Sequence, residues 1–308
     1  MKRRGSAHHT AVGFSRADIT HLEPGAILMG WGIDSNRATG VGTRLHARAM
    51  VVRPADGPPV AFVCAELAFI DAFVRVGVLD ALQQRAPHAG WQEWNVMLTA
   101  IHTHSGPCGF SPYLLYNISN PGFSLPLYRR IVDGIADAIL EAADRAEPAR
   151  LSWGQADIPR ASLVAFNRRV EAYNRNPDVT PVTEAGADLA VDRTVKVLCV
   201  ESIAGKPLGS VSWFAVHNTS VHSDQGLLHH DNKGCAARIH EEMHAAHPGF
   251  VSIFAQESAG DVSPNFRYDP ARRLCVGRTD DDYANAEEVG RAQADAVARE
   301  WRSRGTDA

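Results

Sequence analysis

Disulfide scaffolds, membrane spans and nucleic-acid surfaces each leave marks that this sequence does not carry. Its five cysteines (Cys64, Cys108, Cys199, Cys235 and Cys275) are odd in number, scattered and without a CxxC pair. That excludes a stapled small-domain framework and points to buried or free thiols in a reducing compartment. A formal net charge of -4 and a pI of about 6.4 leave no basic field to hold nucleic acid. The most apolar run, Val60 to Val74, is broken by Glu66 and Asp71, so no transmembrane segment is expected. Lys2, Arg3 and Arg4 are followed by polar residues rather than an apolar secretory core. As written, the chain is expected in the cytoplasm; a trimmed leader, which would make it secreted, leaves the same picture. Repeats and low-complexity linkers are missing as well.

What is present is the balance of a globular protein. Of 308 residues, 45% are hydrophobic and 21% charged, enough to build a large core. Short β-branched runs predict buried strands at Val60–Leu67, Val96–Ile101, Leu151–Ile158, Val195–Val200, Ser210–Val216 and Val251–Ala255. Helical patterns occupy Phe73–Arg85, Leu127–Ala146, Lys233–His247 and Ala284–Trp301. Ala204-Gly205-Lys206-Pro207 is a turn signal, which makes Val195–Val200 and Ser210–Val216 an antiparallel hairpin. A helix joins Val60–Leu67 to Val96–Ile101, so that pair is expected to be parallel. The fold class that follows is mixed α/β (α+β): mixed β-sheets packed together with helices outside. Residues 1–12 are expected to be a flexible N-terminus, and 13–308 a single domain. Phe166 to Asp192, rich in Asn, Pro, Asp and Thr, predicts a long functional loop.

The chemistry gathers where the strands stop. Val96–Ile101 runs into His102-Thr103-His104-Ser105-Gly106-Pro107, Trp213–Val216 into His217-Asn218, and Ile253–Ala255 into Gln256 to Asn265. Sites form at such strand ends, where loops take over. In extended backbone His102 and His104 share one face, roughly 6.6 Å apart. A His-x-His pair alone is a weak signal. With His217 at a second strand end it becomes a candidate metal site, and imidazole nitrogen suits zinc. His222, His229, His230 or Asp231 can supplement the ligands, or else occupy a solvated loop. Ser263, within Gly260-Asp261-Val262-Ser263-Pro264-Asn265, reads as an activated nucleophile, as part of a capped turn, or as a polar contact to substrate. It lacks the flanking glycine of a nucleophile elbow. Arg168 lies in the long loop and is either solvated or a fixed cation for a developing oxyanion.

These segments together resemble the neutral/alkaline (non-lysosomal) ceramidase family, in family order. The matching blocks are Gly13–Thr20, Met29–Gly32, Thr43–Ala49, His102–Pro107, Asn167-Arg168 with Ala172-Tyr173 and Asn176-Pro177, Trp213–His217, Asp231–Gly234 and Gly260–Asn265. The resemblance implies a zinc amidohydrolase that cleaves the N-acyl linkage of ceramide, or a related lipid amide, to sphingoid base and fatty acid. It implies His102 and His217 as zinc ligands, His104 as the acid/base, and Arg168 and Ser263 as residues contacting the substrate or its transition state. It also implies a glutamate and a tyrosine ligand beyond Asn265, and a C-terminal immunoglobulin-like domain. With the chain stopping at Ala308, these are expected to be absent and the catalytic domain incomplete. Two alternatives stand beside this reading: an inactive or incomplete chain that binds lipid or requires the missing part, and a Ser263-dependent hydrolase that survives chelation.

Overall fold

The computed structural model describes residues 10–303 except 24, 118, 119 and 121. Eight strands carry the architecture: β1 (Ala11–Asp18), β2 (His46–Arg53), β3 (Val60–Ala65), β4 (Val96–Ala100), β5 (Glu147–Asp157), β6 (Thr194–Ser202), β7 (Pro207–Phe214) and β8 (Val251–Gln256). They form one sheet in the order β8-β7-β6-β5-β1-β2-β3-β4. The two end pairs, β3–β4 and β7–β8, are parallel; the pairs between are antiparallel. Both expected connections are present: the β6–β7 hairpin and the parallel β3–β4 crossover through α1 (Ala72–Arg85).

The sheet does not stay flat. β1 and β5 are joined only at Ala11↔Pro148 and Val12↔Glu147, and the two halves fold onto each other there. Val12, Phe14, Met50 and Cys64 of one half pack against Leu198, Val200, Val211 and Ile253 of the other. The alternate residues of each half face outward, as a two-residue side-chain period requires. Ala47, Ala49, Val51 and Val63 meet α1 and α2 (Leu125–Asp144), while Val195, Val197 and Cys199 meet α3 (Asp231–Met243) and α4 (Asp282–Ser303). The result is four layers, helix–sheet–sheet–helix, in agreement with the expected fold class. Asp71 and Ser124 cap α1 and α2 by accepting the amides of Val74 and Leu127.

Two central strands, β1 and β2, fall outside the strands expected from hydrophobic runs. Arg48 interrupts the apolar pattern of β2, yet it is only 4% exposed. Its guanidinium pairs with Glu66 and Glu241 between the sheets, which makes a buried charge tolerable. Ala11 and Val12, placed in the flexible start by sequence, belong to β1; residues 1–9 of that segment lie outside the described ones. Phe166–Asp192 is largely irregular, with only a two-residue strand, one helical turn and a short 3-10 helix. Cys64, Cys108 and Cys235 are buried free thiols, Cys199 is buried as well, and Cys275 is exposed. Among the same residues no helix is long and apolar enough to cross a membrane.

Candidate metal centre and active site

β4 ends at Ala100, and the chain then turns sharply. His102 has φ 66°, a left-handed conformation that a non-glycine residue holds only where its surroundings over-determine it. The surroundings here are two hydrogen bonds: its amide donates to Leu67 O at 3.0 Å, and Nδ1 lies 2.8 Å from Ala68 O. The extended geometry expected for His102 and His104 is therefore corrected. Their rings converge because the backbone kinks, with centroids 4.7 Å apart and planes at 88°.

His217 follows β7. Its amide donates to Val262 O at 2.9 Å and its Nδ1 lies 2.8 Å from Ala259 O. Two devices bring it to His102. The Gln256 side-chain amide, at the end of β8, donates to Ile101 O at 3.1 Å and to Val216 O at 2.9 Å. Beyond it, Thr103 and Asn218 form a parallel bridge, and the His104 amide reaches Asn218 O at 3.3 Å. The His102 and His217 ring centroids end 4.8 Å apart, and one ligand nitrogen from each of His102, His104 and His217 lies within 4.8 Å of the others.

This donor set fits a transition-metal ion. A carbonyl accepts the Nδ1 proton of His102 and of His217, leaving each Nε2 lone pair turned inward, the arrangement metal-binding histidines use. His104 Nε2 lies 3.2 Å from His102 Nε2, so the third ring borders the same centre. Among the described residues the cluster consists of these three histidines. His104 differs from the other two in one respect: its Nδ1 is buried with no hydrogen-bond partner. Burial, then the neighbouring His102 and His217 rings and Arg168, hold its pKa down to about 3. Burial likewise lowers His217. Both rings are neutral at physiological pH and present lone pairs.

The cluster opens into a cavity of about 490 Å³ whose walls include Trp31, His104, Phe166, Arg168, His217 and Ser263. Residues from five distant stretches thus share one chamber. The Arg168 guanidinium is tied to Gly260 O at 2.8 Å. Ser263 sits on a short strand paired with Phe166–Asn167, and its Oγ accepts the Asn265 amide at 3.1 Å. Among the described residues no hydrogen bond joins Ser263 Oγ to a histidine.

His222, His229 and His230 do not join the cluster. His222 lines the cavity, but its Nδ1 faces Asp282 at 3.0 Å and its Nε2 faces Cys275 O at 2.7 Å. His229 Nδ1 accepts the Asp231 amide at 2.8 Å, and His230 Nδ1 lies 3.8 Å from Glu66. The Asp231 carboxylate accepts the amides of Ser220, Val221 and Asn232. Lys233, only 1% exposed, donates to Phe214 O at 2.9 Å, and burial lowers its pKa to about 7. The Asp231–Gly234 block is scaffolding under the end of β7. Trp31 and Gln256 were not singled out from sequence as site residues. A lone tryptophan in a loop and a glutamine after a strand carry no spacing signal, and only their contacts reveal them.

Comparison with known proteins agrees with this geometry. The family described as neutral/alkaline non-lysosomal ceramidase, N-terminal, matches residues 11–305. The neutral ceramidase of Pseudomonas aeruginosa is 36% identical over 282 residues, covering 91% of this chain and 40% of that protein. Neutral ceramidase A of Dictyostelium discoideum is 33% identical, covering 83% of this chain and 36% of that one. The chain thus spans about 40% or less of the length of these relatives. Among solved structures, one described as a ceramidase complexed with C2 superposes with a TM-score of 0.86 at 34% identity, covering 95% of this chain and 44% of the other. The neutral ceramidase structure from Pseudomonas aeruginosa gives 0.85 at 33% identity, with the same coverage. Sequence, fold and the blocks that line the cavity agree: the chain belongs to the neutral/alkaline non-lysosomal ceramidase family.

Proposed function

We propose that this chain provides the metal-binding and proton-transfer half of a zinc-dependent amidohydrolase that cleaves the N-acyl linkage of ceramide or a related lipid amide. One observation carries the reading. His102 and His217, 115 positions apart (217 − 102), are each locked through Nδ1 onto a carbonyl and turn toward a shared centre. When bound there, zinc supplies Lewis acidity, polarising an amide carbonyl and acidifying water. His102 and His217 are the holders. His104 is the proton carrier: neutral at pH 7, free of a carbonyl lock, and placed to take a proton from attacking water at Nε2 and return it to the leaving nitrogen. Arg168, anchored on Gly260 O, offers a fixed cation to the developing oxyanion. The Ser263 oxygen accepts from Asn265, which leaves its proton to donate to a substrate oxygen.

The names of the relatives support ceramide as the substrate class. The family resemblance supplies the remaining ligands as a glutamate and a tyrosine beyond Asn265. The test is metal analysis combined with turnover of an N-acyl sphingoid base. Wild type is expected to hold zinc, and His102→Ala and His217→Ala to lose it. His104→Ala is expected to keep the metal and lose turnover by on the order of 10² to 10⁴. Equal zinc in all four proteins, or none in wild type, ends the metal reading. Turnover that survives chelation favours Ser263 chemistry instead. Zinc binding without turnover favours a chain that binds lipid.

A further inference from the structure

We infer that Trp31, held between His104 and the His222–Asp282 pair, is the positioning residue for the His104 ring. This rests on the hydrolase reading for its catalytic consequence and on geometry for everything else. His102 and His217 are oriented by hydrogen bonds from Nδ1 to carbonyls, whereas His104 Nδ1 has no partner. Something other than a hydrogen bond at Nδ1 must fix its plane. The Trp31 ring meets it edge-on, with centroids 5.3 Å apart and planes at 80°. From behind, Gly30 closes the socket: at φ 120° it approaches so near that a Cβ would lie 2.5 Å from His104 Cγ.

Trp31 needs a support of its own, because its indole Nε1 is buried without a partner. The support is His222, stacked on the indole with centroids 5.3 Å apart and planes at 24°. His222 is in turn held at Nε2 by Cys275 O, and the Asp282 carboxylate lies 3.0 Å from its Nδ1 as an ion-pair partner. Asp282 is fully buried at its side chain and also bound by Arg272 at 2.9 Å. Burial opposes charge on His222, but Asp282 and the carbonyl outweigh it and raise its pKa. When it carries a proton, that ring makes an attractive stack on the indole face. The chain of contacts runs from the first turn of α4, through His222 and Trp31, to the ring that moves the proton.

The experiment compares Trp31→Ala and Trp31→Phe with wild type in the full, zinc-loaded chain. It reads zinc content, kcat and KM on an N-acyl sphingoid base, and the motion of the His104 ring by NMR of histidine-labelled protein. Trp31→Ala is expected to keep its zinc, lower kcat on the order of hundredfold with little change in KM, and mobilise the His104 ring. Trp31→Phe, which keeps an aromatic edge, is expected to restore most of kcat and the ring order. An unchanged kcat in Trp31→Ala, or a loss expressed in KM alone, overturns the positioning role. So does loss of zinc, which would make Trp31 part of the metal support. If wild type shows no turnover, the hydrolase reading fails by itself. The NMR comparison still decides the positioning role, and an equally ordered His104 ring in Trp31→Ala refutes it.

Discussion

His102 and His104 are two residues apart in sequence and share a ring chemistry, yet their surroundings give them different work. The difference lies at Nδ1. A carbonyl at 2.8 Å defines the tautomer of His102 and leaves its Nε2 lone pair free, which suits the ligand role proposed for it. At Nδ1 His104 has no such partner, and packing holds that side of the ring. Gly30 is the residue on which that packing turns. Its φ of 120° is one that L side chains rarely adopt, and the space beyond its Cα is filled by the His104 ring. Gly30→Ala is therefore expected to displace His104 and to cost on the order of hundredfold in kcat, while the zinc content stays at the wild-type level. A Gly30→Ala protein with wild-type kinetics would show that the His104 ring can shift without consequence.

At the scale of elements, the centre exists because the two parallel end pairs of one folded sheet deliver their loops to the same place. The joint is the Gln256 amide, which binds the last carbonyls before His102 and before His217. Removing it leaves Ile101 O and Val216 O without that donor. Gln256→Ala should cost about 1–3 kcal/mol in urea unfolding and weaken metal affinity together with it. A midpoint unchanged from wild type would mean that the Thr103–Asn218 bridge alone holds the strand ends. The Asp231–Gly234 segment works beside this joint. Gly234 lies where a Cβ would come 2.2 Å from the His230 ring, and Lys233 reaches Phe214 O at the end of β7.

At the scale of the whole molecule, two buried ion-pair groups stand out among the described residues, one between the sheets and one behind the cavity. Glu66 is held well below the usual carboxylate range: burial alone would raise it, but Arg48, His230 and His46 prevail. Asp282 is lowered in the same way against burial by His222 and Arg272, while His222 is raised. The signs define a window. A depressed carboxylate stabilises the fold above its unfolded value of about 3.9 and loses that contribution as pH falls; a raised imidazole stabilises below about 6.5 and loses it as pH rises. The Asp282–His222 pair therefore contributes most between about pH 4 and 6.5. Asp282→Asn is expected to lower Tm most near pH 5–6 and progressively less as pH rises and His222 loses its proton. A deficit independent of pH in thermal melts would assign the contribution of Asp282 to Arg272 and packing rather than to His222.

Much of this was legible in the amino-acid order. Hydrophobic runs marked β3 to β8 and all four main helices, because apolar periodicity is a local property. The ordered blocks identified the family and named His102, His104, His217, Arg168 and Ser263, all of which face the cavity or its metal cluster. The strands β1 and β2 stayed hidden because Arg48 reads as surface until Glu66 and Glu241 are seen beside it. Which histidine is locked and which is free, what Gln256 joins and what Trp31 leans on were decided by tertiary structure alone. Each depends on contacts between residues far apart in the chain, and a hydrogen bond to a distant carbonyl leaves no spacing in sequence from which to read it.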